Sequence, residues 1–148
     1  MENDMETISL IKTGFDLSDR EVVCYPYLIV TFKIYMPRLF LKPRVAYTVV
    51  AADLVKGAAA RANMFPETEE VDIREDSLVP GLIEEEEALT NARKTALRWI
   101  MYKFHSFRAP RIEVIQRQKA YKAFFHADVK GRKVLVDSVK GLEQDDIR

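Results

Sequence analysis

Three patterns in the sequence predict an α+β fold, an antiparallel β-sheet of about five strands packed on one long α-helix. They are a strictly alternating apolar run, a long apolar stripe of helical period, and a short string that closes two separate β-hairpins. Residues 1–20 carry little periodic signal and are expected to be weakly structured. Ser18-Asp19-Arg20-Glu21 has the form of a helix capping box, but the extended run after it limits any helix to one turn. From Tyr27 to Met36, Leu28, Val30, Phe32, Ile34 and Met36 alternate with Ile29, Thr31, Lys33 and Tyr35, which gives a strand with one wholly apolar face. Pro37 and Pro43 bracket a connection where the ladder is expected to break, because proline has no N–H to donate. A second strand, Arg44 to Ala52, turns Val45, Tyr47, Val49 and Ala51 to one side.

Residues 66–81 read as an acidic surface loop with room for a short strand near Glu70–Ile73. Glu67, Glu69, Glu70, Asp72, Glu75 and Asp76 are opposed there only by Arg74. Pro80-Gly81 punctuates the chain, and the helix is expected from Ile83 to Phe107. Glu84 to Glu87 fall in its first turn, where free backbone N–H groups favour negative charge, and Lys103, His105 and Arg108 lie near its other end. Leu89, Ala92, Ala96, Leu97, Ile100, Met101, Phe104 and Phe107 recur at three- and four-residue steps. Pro110 disfavours the α conformation at Ala109 and closes the helix. Ile112–Ile115 is a further strand. Tyr121–Val129 and Arg132–Asp137 form a hairpin around Lys130-Gly131, with Val129 facing Arg132, Ala127 facing Val134, Phe125 facing Val136 and Asp128 facing Lys133.

Asp53-Leu54-Val55-Lys56-Gly57 recurs as Asp137-Ser138-Val139-Lys140-Gly141, each copy ending a strand that follows an aromatic-rich one. This internal repeat suggests two related β-hairpin units. In each copy a short aspartate can accept from backbone N–H groups just beyond it, and a glycine can take positive φ to complete the turn. Asp53, Gly57, Asp137 and Gly141 are therefore read as structural turn residues. A metal or acid/base role for Asp53 and Asp137 would need further ligands that the sequence does not offer.

The helix followed by a hairpin that closes on Val136-Asp137-Ser138-Val139-Lys140-Gly141 resembles the PepSY domain pattern, in which a helix rich in Glu and Ala precedes strands ending on a V-D-x-x-x-G turn. The resemblance spans residues 84–141. It implies one helix lying across an antiparallel sheet. PepSY domains are mostly extracytoplasmic, associated with protease propeptides or membrane proteins.

The 148 residues suit a single α+β domain, 1–148, and the 48% apolar and 31% charged composition suits a packed core. Equal numbers of basic and acidic residues, 23 each, argue against attachment to nucleic acid or lipid by bulk charge. The N-terminus has no positive segment leading into an apolar run, and the one cysteine, Cys24, suits a reducing compartment, so a cytoplasmic location without a membrane partner is expected. His105, His126 and Cys24 are too few and too scattered for a zinc site, and no phosphate-binding or nucleophile-elbow string occurs. No cofactor, metal or catalytic residue is expected.

The zero net charge hides a segregation. Ten acidic residues stand against one arginine from Glu67 to Glu87, and thirteen basic residues stand against three acidic ones from Ala88 to Gly141. The basic stretch 93–140 makes nucleic-acid binding one reading, with Arg108, Arg111, Arg117, Lys119 and Lys122 as contacts interleaved with Phe107, Tyr121 and Phe124. The preferred alternative is that the acidic middle folds over the basic part. The leading functional expectation is a non-enzymatic interaction module with a protein partner or a homo-oligomer, a dimer, because Tyr25, Tyr27, Tyr35, Phe40 and Phe124 exceed what one helix covers. A small-ligand binder or enzyme with a helix–sheet pocket is the third reading.

Overall fold

The computed structural model describes residues 4–17, 21–105 and 108–139. They form an α+β fold with one α-helix and one mixed, open sheet of seven strands in the order β4-β3-β2-β6-β1-β5, with β7 on β6. The strands are β1 Met5–Ile11, β2 Val22–Arg38, β3 Leu41–Asp53, β4 Ala59–Ala62, β5 Thr68–Arg74, β6 Arg111–Val129 and β7 Arg132–Asp137, and helix α1 is Glu85–Phe104. The sheet exceeds the five strands expected, and it is mixed rather than antiparallel because Leu10 of β1 pairs in parallel with Tyr121 of β6. Two compact units can be distinguished within the chain, each assembled from separated segments.

The second unit comprises residues 27–65 and 82–119. Its core is the apolar face of β2, where Leu28, Val30, Phe32, Ile34 and Met36 are buried with Val50, Ala52 and Leu54 and with Ala88, Ala92, Ala96 and Ile100 of α1. Buried alanines at positions 88, 92 and 96 let the helix approach closely, so most of the large fully buried side chains at this interface come from the strands, with Ile100 the helix's own, each adding ~1.5–3 kcal/mol by burial. The helix is shorter than the expected span to Phe107. Glu84 is its N-cap, and His105 ends it in the left-handed region at φ 41°, donating its N–H to Met101. An αL residue, not Pro110, therefore closes the helix. Phe107 lies outside the described residues.

The prolines do not separate β2 from β3 as expected. The two strands stay paired from Tyr27↔Asp53 to Arg38↔Leu41, with an irregularity between Met36 and Arg38. Neither Pro37 nor Pro43 is among the paired positions, so the missing N–H groups fall where the ladder does not need them. The connection is only the two residues Leu39 and Phe40.

The first unit comprises residues 1–26, 66–81 and 120–148. β1 occupies the segment expected to be weakly structured, and it pairs antiparallel with β5 along its whole length, Met5↔Arg74 to Ile11↔Thr68. Within the expected acidic loop, the short strand anticipated near Glu70–Ile73 is the longer β5, and a single 3-10 turn, Glu75–Ser77, follows it. Its acidic residues conceal the strand's full length, since Asp and Glu are disfavoured in sheets, while Val71 and Ile73 turn inward. Ile8, Leu10, Cys24 and Ala123 form the small core here. The expected strands Ile112–Ile115 and Tyr121–Val129 are one strand, β6, whose polar middle Gln116–Lys119 does not interrupt it. β6 and β7 pair as the sequence pattern predicts, Val129↔Arg132, Asp128↔Lys133, Ala127↔Val134 and Phe125↔Val136. The Ser18 capping box and Gly141 include residues outside those described.

Candidate interaction surface

The described part of the repeated string forms a turn in both places. Asp53 Oδ1 accepts from the N–H of Val55 at 2.7 Å and of Lys56 at 3.1 Å, and Gly57 follows at φ 84°. Asp137 Oδ1 accepts from Val139 N–H at 2.9 Å, and its Oδ2 is 3.0 Å from Lys122 Nζ. Asp53 is thus engaged by its own turn, and Asp137 by its turn and by Lys122 of β6. Among the described residues no three His, Cys, Asp or Glu side chains converge as a metal-ligand group. The Leu54 carbonyl accepts from both Leu82 and Ile83 N–H groups, and Asn91 Nδ2 donates to the Gly57 carbonyl, which ties the first turn to the start of α1.

The five basic residues singled out from the sequence do not act alike. Lys122 belongs to the first unit and forms a half-buried pair with Asp137. Arg108, Arg111, Arg117 and Lys119 belong to the second. Arg117 is held by Glu86 at 3.2 Å and Glu85 at 3.7 Å, so the start of the helix does neutralise part of the basic stretch. Glu67 meets Lys12, and Asp76 meets Arg74, within the first unit. Arg111 stacks over Tyr35, 4.4 Å from the ring centre, and Arg108 lines a cleft at the C-terminal end of α1.

That cleft, ≈ 530 Å³, lies between the β2–β3 turn and the end of the helix, bounded by Met36, Arg38, Phe40, Arg44, Phe104 and Arg108 among others. Beside it the turn presents Leu39, Phe40 and Leu41 to solvent at 71%, 100% and 63% exposure. Phe40 sits at φ 60°, a conformation that costs a bulky residue ~1–2 kcal/mol. Cations flank the tip on both sides. Arg38 Nε donates to the Lys42 carbonyl at 2.9 Å, and Arg44 packs over Phe104 at 4.6 Å. Lys103 approaches Trp99 and Phe104, and Arg61 covers Trp99 at 3.9 Å. Lys33 lies 5.0 Å from the Tyr35 ring and 6.0 Å from that of Tyr47, and hydrogen bonding to Tyr35 leads the interactions that raise its pKa above the ordinary lysine value.

No carboxylate occurs in the sequence from Val22 to Ala52 or from Ala88 to Ile112, the stretches that build this end of the unit. The sequence reading counted Phe40 only as one surplus aromatic and missed the tip. The legible signal was three consecutive apolar residues between Pro37-Arg38 and Lys42-Pro43-Arg44. The other aromatics it named are engaged: Tyr25 meets Phe124 edge-on at 5.1 Å, and Tyr35 lies beneath Arg111.

The remaining candidate nucleophile is inert at neutral pH. Cys24 is fully buried, and desolvation pushes its thiol from 9.0 up to about 11, which leaves little thiolate. His105 and His126 are both exposed. Among the described residues no helix is long and apolar enough to cross a membrane. No protein-family model matches the chain, and neither a curated protein nor a solved structure is significantly similar to it.

Proposed function

We propose that the protein is a non-enzymatic interaction module whose contact surface is the β2–β3 tip and the basic groups around it. The observation that carries this reading is Phe40, wholly exposed and held at positive φ between two exposed leucines. Neither stability nor solubility favours an aromatic there, and such strain is retained at sites that bind. The cytoplasmic location suggested by a lone buried cysteine is part of this reading, and a second copy of the chain is an alternative occupant of the tip.

A photo-crosslinking residue in place of Phe40, in the cells that make the protein, tests the reading. Leu82, 74% exposed just before α1, is the control. The helix puts ~30 Å between its two ends. Adducts at position 40 well above those at position 82 are expected, and equal yields at the two positions refute the proposal. Nucleic acid is the second reading, supported by Arg108 and Arg111 in the same unit. Its weakness is that the faces of Trp99 and Tyr35, which would stack on bases, already carry Arg61 and Arg111.

A further inference from the structure

We infer that the occupant of the tip is the surface of an anionic lipid bilayer, with Leu39, Phe40 and Leu41 entering the interfacial layer and Arg38, Lys42 and Arg44 meeting headgroup phosphates. This rests on the reading of the tip as the contact surface and names its partner.

Shape comes first. The three apolar side chains are exposed on the two-residue turn and the first residue of β3, Phe40 wholly so. A protruding wedge suits a soft, deformable apolar layer, in which amphipathic elements bury a few side chains at the boundary of headgroups and acyl chains. Charge comes next. Arg38 and Lys42 stand on either side of the apolar triplet, and Arg44 follows on β3, so insertion of the triplet brings three cations to the depth of the phosphates. Their aliphatic stems can lie along the apolar layer while the charged heads stay in the polar one. Lys103 near the end of α1 extends the same positive field. The absence of carboxylates from Val22 to Ala52 and from Ala88 to Ile112 leaves that field unopposed by these segments.

Zero net charge argued against lipid, but a membrane responds to charge within about a Debye length, ~8 Å at physiological salt, and not to the sum over the chain. Each basic residue near an anionic surface raises partition about fivefold, so the flanking residues and the wedge together supply the two signals that stable peripheral attachment takes.

Co-sedimentation of the full chain with vesicles tests this, using equimolar phosphatidylcholine and phosphatidylserine against phosphatidylcholine alone. Binding is expected to the anionic vesicles, at least about tenfold weaker to the neutral ones, and to fall with added salt. Phe40→Gly should weaken it by about tenfold or more by removing the wedge. Its thermal midpoint should not fall, because glycine accepts φ 60° and no buried contact is lost. Lys42→Glu should lose about fivefold or more. Inorganic phosphate at matched ionic strength should not compete, which separates a bilayer from a free anion.

Absence of binding to anionic vesicles at low salt overturns the proposal, and so does wild-type binding by Phe40→Gly. If the vesicles fail while position 40 still crosslinks to protein, the interaction reading stands and the lipid assignment falls. If position 40 crosslinks no better than position 82, both fall.

Discussion

The β2–β3 and β6–β7 hairpins turn on two residues each, and they solve the turn in opposite ways. At the β6–β7 turn, Lys130 at φ 54° and Gly131 at φ 77° both take positive φ, the geometry that matches strand twist, and glycine takes the more demanding place. At the β2–β3 turn, Phe40 takes φ 60° where glycine or asparagine would be cheaper. The first turn is shaped by backbone energetics. The second is shaped by what it presents, and the surplus strain is offset by the buried face of β2 below it, where Phe32 and Ile34 are inaccessible to solvent. The difference teaches where to look for function: at the turn whose chemistry disagrees with its geometry.

The β3–β4 turn sharpens this comparison because its glycine is constrained by space as well as by φ. A Cβ on Gly57 would lie 2.7 Å from Ile83 Cδ1, and the residue already sits at φ 84°. Gly57→Ala should therefore cost the conformational strain and a smaller amount for displacing Ile83 Cδ1, the end of a flexible side chain, about 1–2 kcal/mol in all, and lower the urea midpoint without changing its slope. The test is equilibrium unfolding. A loss below about 1 kcal/mol would mean that the tie between this turn and the start of α1 is slack.

At Gly131 nothing lies within 4 Å of a built Cβ, so only the positive φ is penalised. Gly131→Ala should cost about 1 kcal/mol, less than Gly57→Ala, in the same experiment. Equal losses at the two glycines would show that φ dominates both and that the Ile83 contact yields freely. A loss at Gly131 larger than at Gly57 would reverse the ranking of the two turns.

These contrasts also explain how much of the molecule was legible beforehand. The helix was visible because its apolar positions keep a 3.6-residue period, and the register of β6 with β7 was visible because Lys130-Gly131 names its own turn. The length of β5 was hidden by its carboxylates and β4 by its alanines, since strand formation there follows from pairing with a neighbour and not from residue preference. The pairing of β2 with β3 is expected from the alternation of the two strands, but its continuation past Pro37 and Pro43 to a two-residue turn is not, because prolines usually end strands and here sit at unpaired positions. Its tip went unread for the same reason: a segment taken for a loop between two strands gives no cause to ask which of its residues faces solvent. The basic residues were visible as a run in sequence, yet Arg117 and Lys122 are committed to carboxylates, which only the fold reveals.

The smallest expected effect is the most diagnostic, because its sign runs against ordinary experience with aromatic residues. Removing a large side chain usually destabilises a protein, since most such groups are at least partly buried. Phe40 is fully exposed, so Phe40→Gly loses no buried surface and relieves a left-handed conformation costing ~1–2 kcal/mol. Against this stands the greater freedom of glycine in the unfolded chain, ~0.5–1 kcal/mol. The balance is a protein as stable as the parent or about 1 kcal/mol more so, read as an unchanged or higher urea midpoint. A clear loss of stability would mean that the ring packs against its own chain, and the β2–β3 turn would then be structural in the same sense as Lys130-Gly131. An unchanged or raised midpoint leaves the aromatic at this position with no role in folding, and places its purpose outside the chain.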